Sequence, residues 1–329
     1  MTKYREIKGT LIQNVSADPP ASFEGQVWYN TTTNQLRVRS VGLIAAWSTA
    51  NTLNTSRYGG GGTGTKTSAL AFGGWIGSSG TITESWNGTN WTEVNDLNLG
   101  RHGGIGGAGA DNTSALAFGG FNSPPPTRVT VTETWNGTNW TEVNDLGTAR
   151  SNLGGNGTQT SALAYGGDDG INSVSNTESW NGTNWTEVND LNIIARSLGS
   201  TGADNTSALA FSGVGPPPSR VASTESWNGT NWTEVNDLNT GRHSLEGAGT
   251  QTSTLAFGGS PAATNGAFTE SWNGTSWTEV NDLNTGRLDL DGAGANNTSA
   301  LAFIGNPGGT ATEEWGESPG TGNFNITSS

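Results

Sequence analysis

The sequence predicts an all-β protein: a six-bladed β-propeller whose last blade is closed by strands from both ends of the chain, preceded by a small N-terminal β-hairpin segment. Three observations predict it. First, the words Thr-Glu-Ser-Trp-Asn-Gly-Thr-Asn-Trp-Thr-Glu-Val-Asn-Asp-Leu at 83–97 recur with few changes. Their first tryptophans are Trp86, Trp135, Trp180, Trp227 and Trp272, spaced 49, 45, 47 and 45 residues apart, the length of a four-stranded blade. Second, the two ends of the array hold complementary halves of the unit. Trp315 is a first tryptophan with no second. Trp47, followed by Asn54 and Arg57, opens a second half with no first. A solenoid leaves ragged ends under polar caps, whereas a ring needs one blade built from both ends so that no strand edge is left open. Third, every unit carries four strand signals in one order.

Those signals place three segments: 1–41 as an anchoring hairpin segment, 42–316 as the propeller and 317–329 as a C-terminal tail. In the first, Asp18-Pro19-Pro20 is a turn or linker. Residues 26–30 and 35–39 read as strands around Thr31-Thr32-Thr33-Asn34. An isolated hairpin is marginal in water, so its Trp28, Tyr29, Arg37 and Arg39 are expected to pack on the propeller or to dock on another chain.

In each blade a Gly-rich first strand follows an arginine, as at 104–109 and 247–249. Small residues there let backbones approach near the axis. The second strand reads Ser-Ala-Leu-Ala-Phe-Gly-Gly at 68–74 and 114–120, with variants at 161–167, 207–213, 253–259 and 299–305. Leu and Phe share one face and the alanines the other, which implies burial on both. The third strand ends Glu-Ser-Trp and the fourth runs Trp-Thr-Glu-Val. Asn-Gly between them tolerates positive φ in a tight turn. The paired tryptophans are expected to fill the wedge between blades.

Composition removes several function classes. The 329 residues include no Cys, which excludes disulfides and thiolate metal sites. No apolar run approaches 18 residues, so no helical membrane span is expected, and 1–6 do not open a secretory signal. The formal charge is −14. Residues 1–41 carry five basic and three acidic side chains, and the remainder nine and 25. So acidic a propeller repels phosphate, and nucleic acid is not expected as a partner.

The di-glycine after the second strand, the Glu two before a tryptophan, the later Trp and the Arg opening the next blade together resemble the kelch repeat, over about 42–316. The turn between the tryptophans, Asn-Gly-Thr-Asn, is shorter than the kelch pattern. The unit with Thr-Gln-Thr-Ser-Ala-Leu-Ala-Phe-Gly-Gly is also similar to kelch-type proteins of tailed, particularly marine, phages. Gly25-Gln26-Val27-Trp28-Tyr29-Asn30 resembles a segment of phage virion and tail-fibre proteins. The resemblance implies an assembled virion component, tail fibre or appendage, docked to other virion proteins through 1–41.

No enzyme, cofactor or metal is expected. Six Glu–Arg sets recur, with Glu84, Glu133, Glu178, Glu225, Glu270 and Glu313 against Arg57, Arg101, Arg150, Arg196, Arg242 and Arg287. One per blade is the pattern of structural ion pairs, since buried charges persist only when paired. The repeated Asp96, Asp145, Asp190, Asp237 and Asp282 are assigned to turns. Galactose oxidase, also built of kelch repeats, needs a Cys–Tyr cross-link and copper. Sialidases carry an Asp-box that Ser-Trp-Asn-Gly-Thr-Asn-Trp does not match.

The units differ mainly in two places. The link between second and third strands varies, at 75–80, 121–129, 168–176, 214–223, 260–268 and 306–310. So does the residue after each arginine, among them His102 and His243. Both fall on one face of a propeller, opposite the near-constant links, which are the one between first and second strands and the Asn-Gly-Thr-Asn turn. Pro124-Pro125-Pro126-Thr127-Arg128 and Pro216-Pro217-Pro218-Ser219-Arg220 stiffen two of these loops. Variable loops on a constant scaffold suit recognition. Trp75, His102, Phe121, Arg128, Asp168, Asp169, Arg220 and His243 are the expected ligand-binding residues, for a host-surface receptor or glycan. The alternative reading is a purely structural virion component.

Overall fold

The computed structural model describes residues 12–17, 19, 26–216, 220–261 and 266–325. Asp18, Pro20, Gly25 and Pro217-Pro218-Ser219, and so most of the predicted linker and the end of the second proline run, lie outside the described residues. The chain divides into two units, 46–316 and a second drawn from the chain before 46 and after 316.

The larger unit is a β-propeller of repeated four-stranded antiparallel sheets with no helix among the described residues. In the first sheet, Gly61–Thr65, Ser68–Phe72, Thr83–Trp86 and Trp91–Val94 lie in that order. The same order recurs from Gly106–Asp111, Gly154–Thr158, Gly199–Asp204 and His243–Thr250. A further sheet places Asp291–Asn296, Ser299–Phe303 and residues 312–316 beside 46–49. There Ala50 N–H donates to the Thr312 carbonyl, at 2.9 Å. The half-units at the two ends of the array therefore meet in one sheet.

Packing between sheets follows from the tryptophans. Trp86 and Trp91 are cross-strand partners with ring centroids 5.3 Å apart, and the pair recurs down to Trp47 with Trp315. Each second tryptophan meets the aromatic ring of a neighbouring second strand, as Trp140 meets Phe72 at 5.2 Å, and its indole N–H donates to the threonine that opens the third strand of that same sheet. Trp91 reaches Thr312, Trp140 Thr83, Trp185 Thr132, Trp232 Thr177, Trp277 Thr224 and Trp47 Thr269. Side chains of this size bury roughly 150–250 Å² each, which supplies the core of a chain poor in Ile and Val. The indole N–H, which would otherwise be orphaned on burial, is satisfied by the Thr hydroxyl.

The first strands carry glycine for a steric reason. At Gly61, Gly106 and Gly199 a Cβ would stand 2.2–2.3 Å from the phenylalanine ring of the paired second strand. At or just before the start of the first strands, six residues of left-handed φ (Gly59, Gly104, Asn152, Ser197, Ser244 and Asp289) link neighbouring sheets through backbone hydrogen bonds. Gly59 N–H donates to Asp289, Asp289 to Ser244, Ser244 to Ser197, Ser197 to Asn152, Asn152 to Gly103 and Gly104 to Gly59. The series returns to its starting residue.

In the smaller unit Val27–Asn30 pairs antiparallel with 35–38, and the predicted hairpin is present. Asn30 Oδ1 accepts from the N–H groups of Thr32 and Thr33 across its turn. Gln13–Val15 runs parallel to Val27–Asn30, a strand that three residues without alternation do not signal. Residues 317–325 group with this unit.

Candidate recognition surface

The constant links acquire a physical reason on one face. Asn87 Oδ1 accepts from the N–H groups of Thr89 and Asn90, with Gly88 at φ 87°. Asn51, Asn95, Asn144, Asn189 and Asn236 then reach across to the Thr carbonyl of the neighbouring turn. Turn and linker are thus bonded between repeats, and neither can change alone. The repeated aspartates also serve structure: Asp96, Asp145, Asp190, Asp237 and Asp282 each accept the N–H that opens the third strand.

Five of the six expected Glu–Arg sets are buried ion pairs. They are Arg57–Glu84, Arg101–Glu133, Arg150–Glu178, Arg242–Glu270 and Arg287–Glu313, at 2.6–3.0 Å. Burial pulls the Arg101 guanidinium below its ordinary range, while Glu133 opposes the shift. The sixth set is a correction. Leu-to-arginine spacing is four residues in the other units, as in Leu97 to Arg101, but five from Leu191 to Arg196. Ala195 therefore takes the interior position. Its carbonyl receives the N–H of Gly167, as that of Arg101 receives the N–H of Gly74. Glu225, 3% exposed, keeps the N–H groups of Asn192 and Ile193 and the Asn192 amide, with no arginine. A small cavity lined by Ala195 and Glu225 remains.

Arg196 instead stands on the variable face. Its guanidinium meets Asp168 Oδ2 at 2.7 Å, and Arg128 meets Asp168 Oδ1 at 2.8 Å. The Arg128 guanidinium lies 5.2 Å from the Phe121 ring centroid. His102 packs edge-on against Phe121 at 5.2 Å and beside Trp75 at 4.7 Å. Ser79 Oγ holds the His102 Nδ1 at 3.0 Å. The structure thus brings Trp75, His102, Phe121, Arg128 and Asp168 into one row and adds Arg196. Arg196 was not expected in this row because residue type placed it with the other arginines; the five-residue spacing was the available signal.

The remaining expected residues stand beside this row. Asp169 is exposed; its carboxylate accepts the N–H groups of Asn172 and Ile171, which hold it below the usual range. Arg220 Nε donates to the Ser260 carbonyl. Both histidines are half-buried, and burial lowers them below the ordinary imidazole value. For His243 the nearby Arg220 and Arg196 add to the shift. Between the third and fourth sheets, a groove of about 440 Å³ is lined by Asp169, Asn172, Asn176, Ile194 and Pro216.

Among the expected anchoring residues, Trp28 is fully buried. It serves packing, and an accessible docking surface reduces to the half-buried Tyr29 and Arg37. The Arg39 side chain lies outside the described residues. Among the described residues, no three Asp, Glu or His stand together as a metal site.

No family model and no curated protein sequence matches this chain. Its fold is similar to the solved structure of YjhT, with a TM-score of 0.68 at 13% identity, over 84% of this chain and 100% of that one. That likeness supports the β-propeller architecture.

Proposed function

We propose that this chain is a non-enzymatic virion protein of a tailed phage, a tail fibre or appendage, whose six-bladed closed propeller recognises a host-surface glycan through its variable-loop face. The row from Trp75 to Arg196 carries this reading. Aromatic faces beside guanidinium groups suit sugar rings and their polar substituents, and none of these side chains is demanded by the repeat. Closure is supported by the two cyclic hydrogen-bond series, which each pass through six sheets. The virion assignment rests on the resemblance of the 25–30 segment, with residues before 42 as the anchor to other virion proteins.

Glycan-array binding by the full chain tests the recognition. Binding that falls when Trp75→Ala or Arg128→Ala is introduced is expected; a chain that binds no glycan contradicts it. Deleting 1–41 is expected to abolish particle incorporation, and incorporation that persists removes the anchor. Turnover of a bound glycan that survives substitution of the repeat glutamates overturns the non-enzymatic assignment.

A structural role binding other virion proteins is the second reading. Ile76 at 43% and Ile171 at 87% exposure favour it, both in variable loops of the same face.

A further inference from the structure

Four repeats have glycine where the first strand pairs with the second-strand aromatic. The last two have Glu246 and Asp291 at that register position, opposite Phe257 and Phe303. Asp289 occupies one of the left-handed positions as well. Three departures from the repeat thus put three carboxyl groups into two neighbouring sheets. All three line one cavity of about 50 Å³, to which every repeat contributes, enough for about three waters at one probe sphere each. Asn152, Ser197 and Ser244 add amide and hydroxyl oxygens. Leu153, Leu198, Leu245 and Leu290 supply apolar wall.

Asp291 is 7% exposed, and its Oδ2 has no hydrogen-bond partner. None of the residues lining the cavity is cationic. Arg57 lies near enough to act on Asp291, but its Nη groups go to Glu84, Thr55 and Ala71 and its Nε makes no hydrogen bond. A buried carboxyl left in this state is either protonated or, where ionised, calls for a cation from outside. The three carboxyls do not converge as a metal site, so the fitting cation is one that is held by two of them and carries an apolar stem.

We propose that this axial cavity binds one primary ammonium group, whose N–H donors go to Asp291 and Glu246, with Asp289 adding negative charge beside them, and whose alkyl stem lies along the leucines.

The site has a built-in pH response. Burial pushes Asp291 up to about 7, Arg57 opposing and Asp289 adding. Burial and Asp291 raise Glu246. Burial raises Asp289, against Ser244 and His243. An ammonium group binds the ionised carboxyls, so affinity rises from pH 5.5 to pH 8 and binding near pH 7 releases protons.

The test is calorimetric titration of the full chain with n-butylamine, with n-butanol and Ca²⁺ as comparators. One amine per chain is expected to bind, and n-butanol not at all. Asp291→Gly and Glu246→Gly install the residue of the other four repeats and are expected to melt no lower than wild type. Each is expected to weaken amine binding at least about tenfold, the loss of one charge-assisted hydrogen bond. No amine binding at tens of millimolar overturns the proposal, as does equal binding by the glycine variants or binding of Ca²⁺ in its place. Spermidine against Nα-acetyl-lysine methylamide separates a free polyamine from a partner's lysine, the tighter binder naming the source.

Discussion

In the second repeat Arg101 turns inward, fully buried, and meets Glu133 at 2.9 Å. In the fourth, one more residue before the arginine leaves Ala195 inside and sends Arg196 to Asp168 at 2.7 Å, with its side chain 40% exposed. The surrounding words are otherwise nearly the same. The interior therefore tolerates loss of one guanidinium when the carboxylate keeps its backbone N–H donors. What the fourth repeat gains is a cation on the variable face, where Asp168 bridges two arginines. A repeat protein has redundancy in its core, and here one unit has diverted a scaffold residue to its surface.

The largest effect that can break this comparison is Arg101→Ala. It strands Glu133 beside a site shaped for a guanidinium and is expected to destabilise the chain by about 3–5 kcal/mol in denaturant unfolding. A loss below about 1 kcal/mol would mean the buried pairs contribute little anywhere.

Next comes pH. Asp291 titrates about 7 in the folded chain, above its value when unfolded, so its contribution is fully present below about pH 4 and lost as pH rises through 7. The loss is at most about 4 kcal/mol, and Asp291→Gly is expected to make the pH dependence of melting shallower over that window, with Glu246 and Asp289 still contributing.

Smaller again, Ala195→Arg with Arg196→Ser rebuilds the interior pair. It is expected to raise stability by roughly 1 kcal/mol, as repeat-restoring changes commonly do, while removing the surface cation. Glu225→Gln is expected to cost less than Glu133→Gln, because no arginine depends on it. The smallest effect is Arg196→Ala alone, under about 1 kcal/mol for an exposed ion pair.

Much of the fold was legible. The period, the paired tryptophans and the matching half-units point to the sheets and to the meeting of 312–316 with 46–49. The two faces were legible because constant and variable links alternate along each unit. The row on the variable face was named in large part, though its order was not, since Trp75 and Asp168 come together only through loops whose length carries no periodic signal. Arg196 was misplaced because its type matched the pattern better than its spacing did. For Trp28 packing and docking on another chain were both left open, because an alternating hairpin does not say which side another segment covers. The axial carboxyls were visible as Glu246 and Asp291 in glycine positions, but only the register opposite Phe257 and Phe303 puts them on one cavity.

The most direct measurement is binding of intact host cells or their surface polysaccharide by two sets of variants. Arg128→Ala and Trp75→Ala alter the variable face, and Asn95→Ala and Asn144→Ala alter the constant one. Loss confined to the first set, with all four chains folded, is the predicted result. Equal loss from both sets, or binding untouched by the first, would contradict recognition through the variable loops.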